Sequence, residues 1–465
     1  MKWKTTTPTL DKTILGISEG FHDAGACVVK NGDILSATHA ERYSRKKNDR
    51  WLHQSQMVNA DVVAFYEKPW LKRTRQLYAG QGWKPARTKY DVAFSHHKTH
   101  AAAGFYTSSF DECNILVIDS IGEWDTISVW KGWVEKGPLG QNVPKMKKIK
   151  SERYPFSLGL FYSAITQRIG LKPNEDEYIT MGMAAYGEPI HVSDLRTYMY
   201  SNCHKGIGNV LPEAKNEDIA ASAQNMIENE ILHYVKTYCK HTNLVFMGGV
   251  ALNCVANSRV ADLGKNMWIM PNPGDCGSSL GAAALAYGKK LKWKGPYLGT
   301  NICQEINPRE VAEYLYDNAY CGVANGRAEF GPRALGNRSL LADPRREIKD
   351  TVNQIKRRQL FRPFAPAIME EYADEYFSGP MNEYMQFVAK AKHDYSSVTH
   401  VDGTARVQIV RKDCQSILRP ILEEWYEKTG VPMLLNTSLN IKGQPMVDTW
   451  QDAEDFMREY NVKVF

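Results

Sequence analysis

Two stretches about a hundred residues apart repeat one pattern, and this repeat constrains the fold more than any other feature of the chain. Thr13-Ile-Leu-Gly-Ile-Ser18 reads as a strand, Glu19-Gly-Phe-His-Asp23 as a polar turn, and Ala26-Cys-Val-Val-Lys30 as a returning strand; Asn31-Gly32 then signals a hairpin into Ile34–Thr38. Asn114-Ile-Leu-Val-Ile-Asp119, Ser120-Ile-Gly-Glu-Trp124 and Thr126-Ile-Ser-Val-Trp130 follow the same order. Two strand–turn–strand units with acids in their turns predict a duplicated α/β fold around a central cleft. Pattern alone supports two unrelated hairpins equally well.

Ahead of the second unit, His96 and His100 stand four residues apart before Ala101-Ala-Ala-Gly-Phe-Tyr106. On a helix that spacing puts both imidazoles on one face, while His97 points about 100° away. Asp119 closes a buried-strand pattern, and Asp275 lies in the tight turn Pro271-Asn-Pro-Gly-Asp275. Two imidazoles and two carboxylates can form a four-ligand cation site of borderline hardness. Asn243-Leu-Val-Phe-Met-Gly248-Gly249 reads as strand and turn, followed by a helix carrying Asn253 and Asn257. Such a turn lets backbone approach a nucleotide at a helix N-terminus, or is simply a tight connection.

Lys289-Lys-Leu-Lys-Trp-Lys-Gly-Pro mixes charge with Gly and Pro, so a domain boundary is expected near 295, with domains 1–295 and 296–465. Just beyond it, residues 326–362 hold ten Lys/Arg against four Asp/Glu. Phe, Pro and Gly interrupt these cations, as in a shaped loop pocket rather than on a solvated helix. Arg forks there suit phosphate and carboxylate-like groups. The remaining composition excludes little: 43% hydrophobic, 24% charged, and a net charge of +6 that favours anionic substrates without indicating nucleic acid. Nine scattered Cys without a CxxC pair indicate reduced thiols. The start Met-Lys-Trp-Lys-Thr-Thr-Thr-Pro has no apolar signal core, and no run approaches about 18 apolar residues, so the chain reads as soluble, cytoplasmic and free of membrane.

Several long motifs together resemble the O-carbamoyltransferase family of nodulation-factor and antibiotic-tailoring enzymes. They are Gly16…His22-Asp23, Glu41-Arg42-Tyr-Ser-Arg45-Lys46, the double-His stretch 96–100, Asp119…Gly122-Glu123, Met181-Gly-Met-Ala-Ala-Tyr-Gly187, Gly248-Gly…Asn253, Asp275, Gly331-Pro-Arg-Ala-Leu-Gly-Asn-Arg338-Ser and Asn436-Thr-Ser-Leu-Asn440. The resemblance runs from about residue 13 to about 455. It implies an actin-like N-terminal domain, similar to the tRNA threonylcarbamoyl transferases, and a C-terminal domain similar to the YrdC type. It also implies that carbamoyl phosphate and ATP give carbamoyl-adenylate in the C-terminal domain, and that the N-terminal domain moves the carbamoyl group to an acceptor hydroxyl.

Residue by residue, the resemblance assigns Lys356, Arg358, Ser438 and Asn440, with Arg333, Arg338 and Arg406, to carbamoyl phosphate and the ATP phosphates. His96, His100, Asp119 and Asp275 match the ligands of one divalent metal, with iron placed ahead of manganese, zinc and magnesium. Gly248, Gly249 and Asn253 are expected at the nucleotide. His22 is expected as the general base, able to act near its ordinary pKa, or else as a residue that orients a neighbour; Asp23 is a second polar anchor or a turn former. Three departures stand out. Ile179 replaces a usual Lys, while Gln359 and Gln444 replace usual Glu residues, which predicts one phosphate contact fewer and a more positive pocket.

The acceptor stays open between a sugar, another small molecule such as an aminoglycoside or β-lactam, and a nucleotide, including hydroxymethylpyrimidine in DNA. The basic, aromatic stretch Trp70–Tyr90, with Trp83, suits a sugar or nucleotide acceptor, or is a solvated lobe surface. Two rival readings are a non-catalytic ATP- and metal-binding partner module and tRNA threonylcarbamoylation. Oligomeric state is not legible.

Overall fold

The computed structural model describes residues 11–82, 85–138 and 140–465. The Met1–Pro8 start and Trp83 therefore lie outside the described residues.

The N-terminal lobe is built from two sheets of one design. β1 (Thr13–Ser18), β2 (Gly25–Lys30) and β3 (Asp33–His39) run antiparallel, and β4 (Val62–Phe65) and β5 (Val92–Ala93) extend the sheet in parallel on the other side of β1. β6 (Glu112–Ile118), β7 (Asp125–Lys136) and β8 (Asn142–Arg153) repeat the antiparallel part, and β9 (Asn243–Met247) and β10 (Asn266–Trp268) repeat the parallel part. The orders β3-β2-β1-β4-β5 and β8-β7-β6-β9-β10 are therefore identical, strand sense included. This is the duplication expected from the repeat, in the actin-like arrangement that the family resemblance implies. The central strands β1, β6 and β9 are nearly continuous apolar runs, as suits strands buried on both faces. At the Asn31-Gly32 hairpin both residues have positive φ (53° and 82°), the geometry that a two-residue turn between twisted strands requires.

Two Ala-rich helices, His96–Thr107 and Ser278–Tyr287, sit between the sheets and are buried almost all round. They touch backbone to backbone at Gly281, where a Cβ would lie 1.8 Å from the Thr99 carbonyl oxygen. The segments after β5, β6 and β10 thus deliver His96, Asp119 and Asp275 to one end of the lobe, the usual place for ligands in a sheet of parallel strands.

The C-terminal lobe follows a short antiparallel pair, β11 (Tyr297–Ile302) with β13 (Gly326–Glu329). Its main sheet contains β12 (Tyr320–Ala324), β14 (Arg338–Ala342), β15 (Ala365–Met369), β19 (Gln408–Val410) and β20 (Met433–Ser438), in the order β12-β14-β20-β15-β19. A small sheet of β16 (Phe377–Ser378), β17 (Ala389–Ala391) and β18 (Thr404–Ala405) lies beside it. Helices Pro308–Asn318 and Leu418–Thr429 bury Val311, Leu315, Ile421, Leu422 and Trp425 against one face. On the other face, Phe456 of the Trp450–Tyr460 helix joins Val352, Phe364 and Leu435. Two of these helix starts carry side-chain caps: Asn307 accepts from the Arg309 N–H, and Thr449 with Asp452 forms a capping box.

Polar contacts join the lobes. Arg45 donates to the Met446 carbonyl at 2.7 Å and Ser258 Oγ to the Val388 carbonyl at 2.9 Å. Near residue 180, the Tyr186 hydroxyl donates to the Phe361 carbonyl at 3.0 Å, and His400 Nε2 to the Gly182 carbonyl at 2.9 Å. Among the described residues no helix is long and apolar enough to cross a membrane.

Candidate active site

Two clusters of polar side chains stand apart from the rest of the molecule. In the N-terminal lobe the helix from His96 places His96 and His100 on one face, and their Nε2 atoms lie 3.1 Å apart. Asp119 Oδ2 is 2.9 Å from His96 Nε2 and 3.6 Å from His100 Nε2, while Asp275 Oδ1 is 3.4 Å from each. All four candidate ligand atoms fall within 4.8 Å of one another, and all four residues are buried. Burial alone would push both imidazoles down. For His96, the charge of Asp275 and hydrogen bonds with both aspartates outweigh burial and lift it well above its ordinary value; His100 is raised in the same way. Burial raises Asp119 and Asp275, but the two imidazoles more than reverse this and hold both carboxyls below the usual range.

The surroundings orient the tetrad. His100 Nδ1 donates to the Pro273 carbonyl at 3.0 Å, which turns its Nε2 toward the carboxylates. Asp119 Oδ1 accepts from the Ser120 N–H at 2.8 Å. Glu123 Oε1 accepts from the backbone N–H of both His96 and Lys68, fixing the start of the helix. A compact set of two nitrogens and two anionic oxygens, already oriented from outside, fits a divalent cation of borderline hardness.

His22 lies on the β1–β2 turn, 31% exposed, with its Nδ1 2.9 Å from Asp23 Oδ2. Burial lowers its pKa, but the hydrogen bond and charge of Asp23, aided by Asp275 and Asp119, outweigh burial and raise it to about 9.

The second cluster gathers cations where the lobes meet. Lys356 Nζ donates to the Ser438 carbonyl, to the Asn440 carbonyl at 2.8 Å and to Asn440 Oδ1 at 3.2 Å, and Ser438 Oγ donates to the same Oδ1 at 2.6 Å. Burial, then the charges of Arg358 and Arg362, push the Lys356 ammonium well below its ordinary pKa. Arg358 rests 4.1 Å over the Phe364 ring, and Arg362 4.6 Å over Tyr178 from the other lobe. Burial and the neighbouring Arg406 bring Arg333 down to about 9. Arg406 Nε is buried without a hydrogen-bond partner. Mutually repelling, partly dehydrated guanidinium groups are the electrostatic complement of a polyanion.

Sequence comparison fits this two-part layout. The carbamoyltransferase N-terminus model matches residues 65–207 and 200–284, and the carbamoyltransferase C-terminus model matches 312–465. Uncharacterized protein sll1178 of Synechocystis sp. is 31% identical over 96% of this chain and 94% of its own length. Nodulation protein NolNO of Sinorhizobium fredii is 30% identical over 93% of this chain and 76% of its own length. The chain belongs to the carbamoyltransferase family. It is accordingly an enzyme that transfers carbamoyl groups. Among solved structures, component A of (R)-2-hydroxyglutaryl-CoA dehydratase from Acidaminococcus fermentans superposes with a TM-score of 0.36 at 14% identity, covering 59% of this chain and 97% of that one. That superposition is loose, and the fold assignment rests on the repeated strand order.

Within this carbamoyltransferase the expected site residues part company. His96, His100, Asp119 and Asp275 converge, as do Lys356, Arg358, Ser438 and Asn440, with Arg333 and Arg406 close enough to couple to the other cations. Arg338 does not line a cavity. It is fully buried and donates to the carbonyls of Asp448, Asn325, Gly326, Asn337 and Thr300, which engages the whole guanidinium and corrects the phosphate role expected for it. Asn253 also acts within the protein: its Oδ1 caps the Cys254–Ala261 helix at the Ala256 N–H, and its amide pairs with Gln224. Gly248 and Gly249 lie beside the N-terminal tetrad. Gly248 has φ 91°, and a Cβ there would stand 2.1 Å from the Ile118 carbonyl oxygen, so only glycine lets β9 turn this close to β6.

His22 is not near its ordinary pKa, which corrects the expectation attached to it. Ile179 is buried, and Gln444 gives its side-chain amide to the Tyr460 hydroxyl while only its carbonyl, accepting from the Asn440 amide at 2.7 Å, touches the cation cluster; the buried Gln359 Oε1 has no partner among the described residues. The 70–90 stretch is not simply a solvated face. Lys72 and Arg75 turn inward, Lys72 to Glu67 at 2.6 Å and Arg75 to the Glu123 carbonyl at 3.3 Å, while Trp70, Leu77 and Tyr78 stay exposed. Sequence reasoning counted Arg362 in the basic run without giving it a role of its own, and did not single out Tyr178, Glu67 or Lys72. Arg362 could have been found from its place six residues after Lys356; the others carry no local signal.

Proposed function

We propose that this carbamoyltransferase acts in the cytoplasm as an ATP-dependent O-carbamoyltransferase, forming carbamoyl-adenylate at the C-terminal cation cluster and transferring the carbamoyl group at the N-terminal tetrad. The observation that carries the proposal is the opposite electrostatic preparation of the two sites, one for a polyanion and one for a cation. At the first site one water splits carbamoyl phosphate into carbamate and inorganic phosphate, and a carbamate oxygen then attacks the α-phosphorus of ATP as pyrophosphate leaves. Arg333, Arg358 and Arg406 offset the charge that builds on the phosphates, and Lys356, held by Ser438 and Asn440, adds a buried donor. Each such Arg contributes on the order of 2–4 kcal/mol of transition-state stabilisation.

At the second site the acceptor oxygen attacks the carbamoyl carbon and AMP leaves. His96, His100, Asp119 and Asp275 would hold a divalent cation, iron first among the candidates, which when bound supplies Lewis-acid charge to phosphate oxygens. Gly248 and Gly249 allow backbone to approach the nucleotide there. His22 receives the acceptor proton. In the free protein Asp23, and to a smaller extent Asp275 and Asp119, raise its imidazole to about 9; a bound cation would offset the two smaller contributions, and the residue serves as base in its neutral form. Enclosing both steps in one chain protects the mixed anhydride from water.

The test is to incubate the enzyme with ATP, radiolabelled carbamoyl phosphate and separate acceptor classes: aminoglycoside, β-lactam, lipo-oligosaccharide, and hydroxymethylpyrimidine free or in DNA. Carbamoyl phosphate-dependent release of pyrophosphate, followed by AMP release and label on a hydroxyl of one class, is expected. Absence of pyrophosphate release would instead favour a binding module.

A further inference from the structure

We infer that Glu67, held in place by Lys72, is a positioning residue for His96, supporting the ring nitrogen that faces away from the cation centre. The inference rests on the cation-site reading proposed above. His96 presents Nε2 to Asp119 and Asp275. Its other nitrogen, Nδ1, is buried and has no hydrogen-bond partner among the described residues. Glu67 Oε2 lies 4.0 Å from it, on a side chain that is itself only 4% exposed. The neighbouring His100 shows what is missing, because its Nδ1 is bonded to a carbonyl at 3.0 Å.

An imidazole that gives its Nε2 lone pair to a cation must carry its proton on Nδ1. At His96 that N–H would then sit in a dry environment with Glu67 as the carboxylate beside it. The 4.0 Å gap is longer than a hydrogen bond. Rotation about the last torsion of a glutamate, which is broad and soft, is enough to close it.

Lys72 explains how a third carboxylate is tolerated so near Asp119 and Asp275. Its ammonium, also buried, holds Glu67 Oε1 at 2.6 Å and leaves Oε2 to face the imidazole. Lys72 belongs to the Pro69–Tyr78 helix, and the residue before that helix, Lys68, donates its N–H to Glu123, the acid that also accepts from the His96 N–H. His96 is therefore held at the backbone by Glu123 and faced at the ring by Glu67. The competing account makes Glu67 merely the counter-ion of Lys72.

Equilibrium dialysis of the full chain against Mn2+, repeated with Zn2+, separates the two accounts, with circular dichroism confirming that each variant is folded. Loss of an outer carboxylate behind a ligating histidine weakens metal binding roughly ten- to hundredfold. Glu67→Gln, whose amide oxygen still accepts, is expected near the lower end of that range, and Glu67→Leu near the upper end. The double variant Glu67→Gln/Lys72→Met removes the buried pair as two neutral side chains, and it too is expected to bind more weakly if Glu67→Leu fails to fold. Lys72→Met alone discriminates most sharply. If Glu67 acted only through its charge, removing the lysine would tighten cation binding, whereas a positioning role predicts weaker binding because the carboxylate loses its hold. Wild-type affinity in the folded Glu67 variants, or tighter binding in Lys72→Met, overturns the inference. Failure of the wild-type chain to bind either cation would overturn the metal-centre reading itself, a result visible before any variant is made.

Discussion

The two sites solve opposite electrostatic problems. In the N-terminal tetrad every charge has a partner of opposite sign within hydrogen-bond or ion-pair reach: two histidines face two aspartates, and burial strengthens each pairing. In the C-terminal cluster the charges are alike. Burial first, and then the charges of neighbouring cations, lower the proton affinity of Arg333, Arg358, Arg362 and Lys356, and Arg406 Nε has no acceptor among the described residues. A paired site can be stable while empty and exchange its internal hydrogen bonds for a cation. A cluster of like charges is under electrostatic stress until an anion arrives, so binding there should also stabilise the fold.

The largest effect expected from this contrast is a split between partial reactions. Asp119→Ala should lower carbamoyl transfer about a thousandfold, matching the several kcal/mol a bound cation contributes, while carbamoyl phosphate-dependent pyrophosphate release stays near wild type. Assaying the two products in parallel checks this, and equal loss of both would merge the two sites into one. Arg358→Ala should do the reverse, cutting pyrophosphate release about 100- to 1,000-fold, or ~3–4 kcal/mol. Arg333→Met sharpens the comparison: without ligand it should melt at the same temperature as wild type or higher, because a like-charge contact is relieved. Inorganic phosphate should raise the melting temperature of wild type more than that of the variant.

The next effect is pH-dependent. The His22 imidazole is raised above its unfolded value of 6.5 to about 9, so its pairing with Asp23 stabilises the protein fully below pH 6.5 and is lost as pH rises through 9. Melting curves of the metal-free protein should fall over that window, and His22→Phe should give a flatter profile. The half-exposed setting keeps the effect small. Smallest of all, Asn253→Ala should cost about 1 kcal/mol of unfolding free energy in urea through loss of a helix cap, with little change in either partial reaction.

Regular patterns made much of this molecule legible. The two strand–turn–strand units revealed the duplication because strand periodicity and turn chemistry are local, and the His96/His100 spacing announced its helix face for the same reason. Position in a motif did not reveal whether a polar side chain faces a ligand or the protein's own backbone. Arg338 and Asn253 sit in segments rich in phosphate-type residues, yet one is saturated by carbonyls and the other caps a helix. Long-range placement was equally silent: Glu67 and Lys72 precede His96 by more than twenty residues, and only the packing of the Pro69–Tyr78 helix brings them to the imidazole. Tyr178 meets Arg362 across the lobe seam, a contact that neither segment encodes alone.

Gly281 has a consequence for how the tetrad can evolve. The helix that supplies both histidines and the helix that follows Asp275 lie so close there that the smallest side chain would collide with the Thr99 main chain. A methyl group at 281 would wedge the two halves apart and open the His–Asp spacings with no ligand altered. The spacing of these four candidate ligands is thus calibrated by a hydrogen atom six residues beyond Asp275, and that position, rather than any of the four side chains, is where their geometry could be retuned most gently.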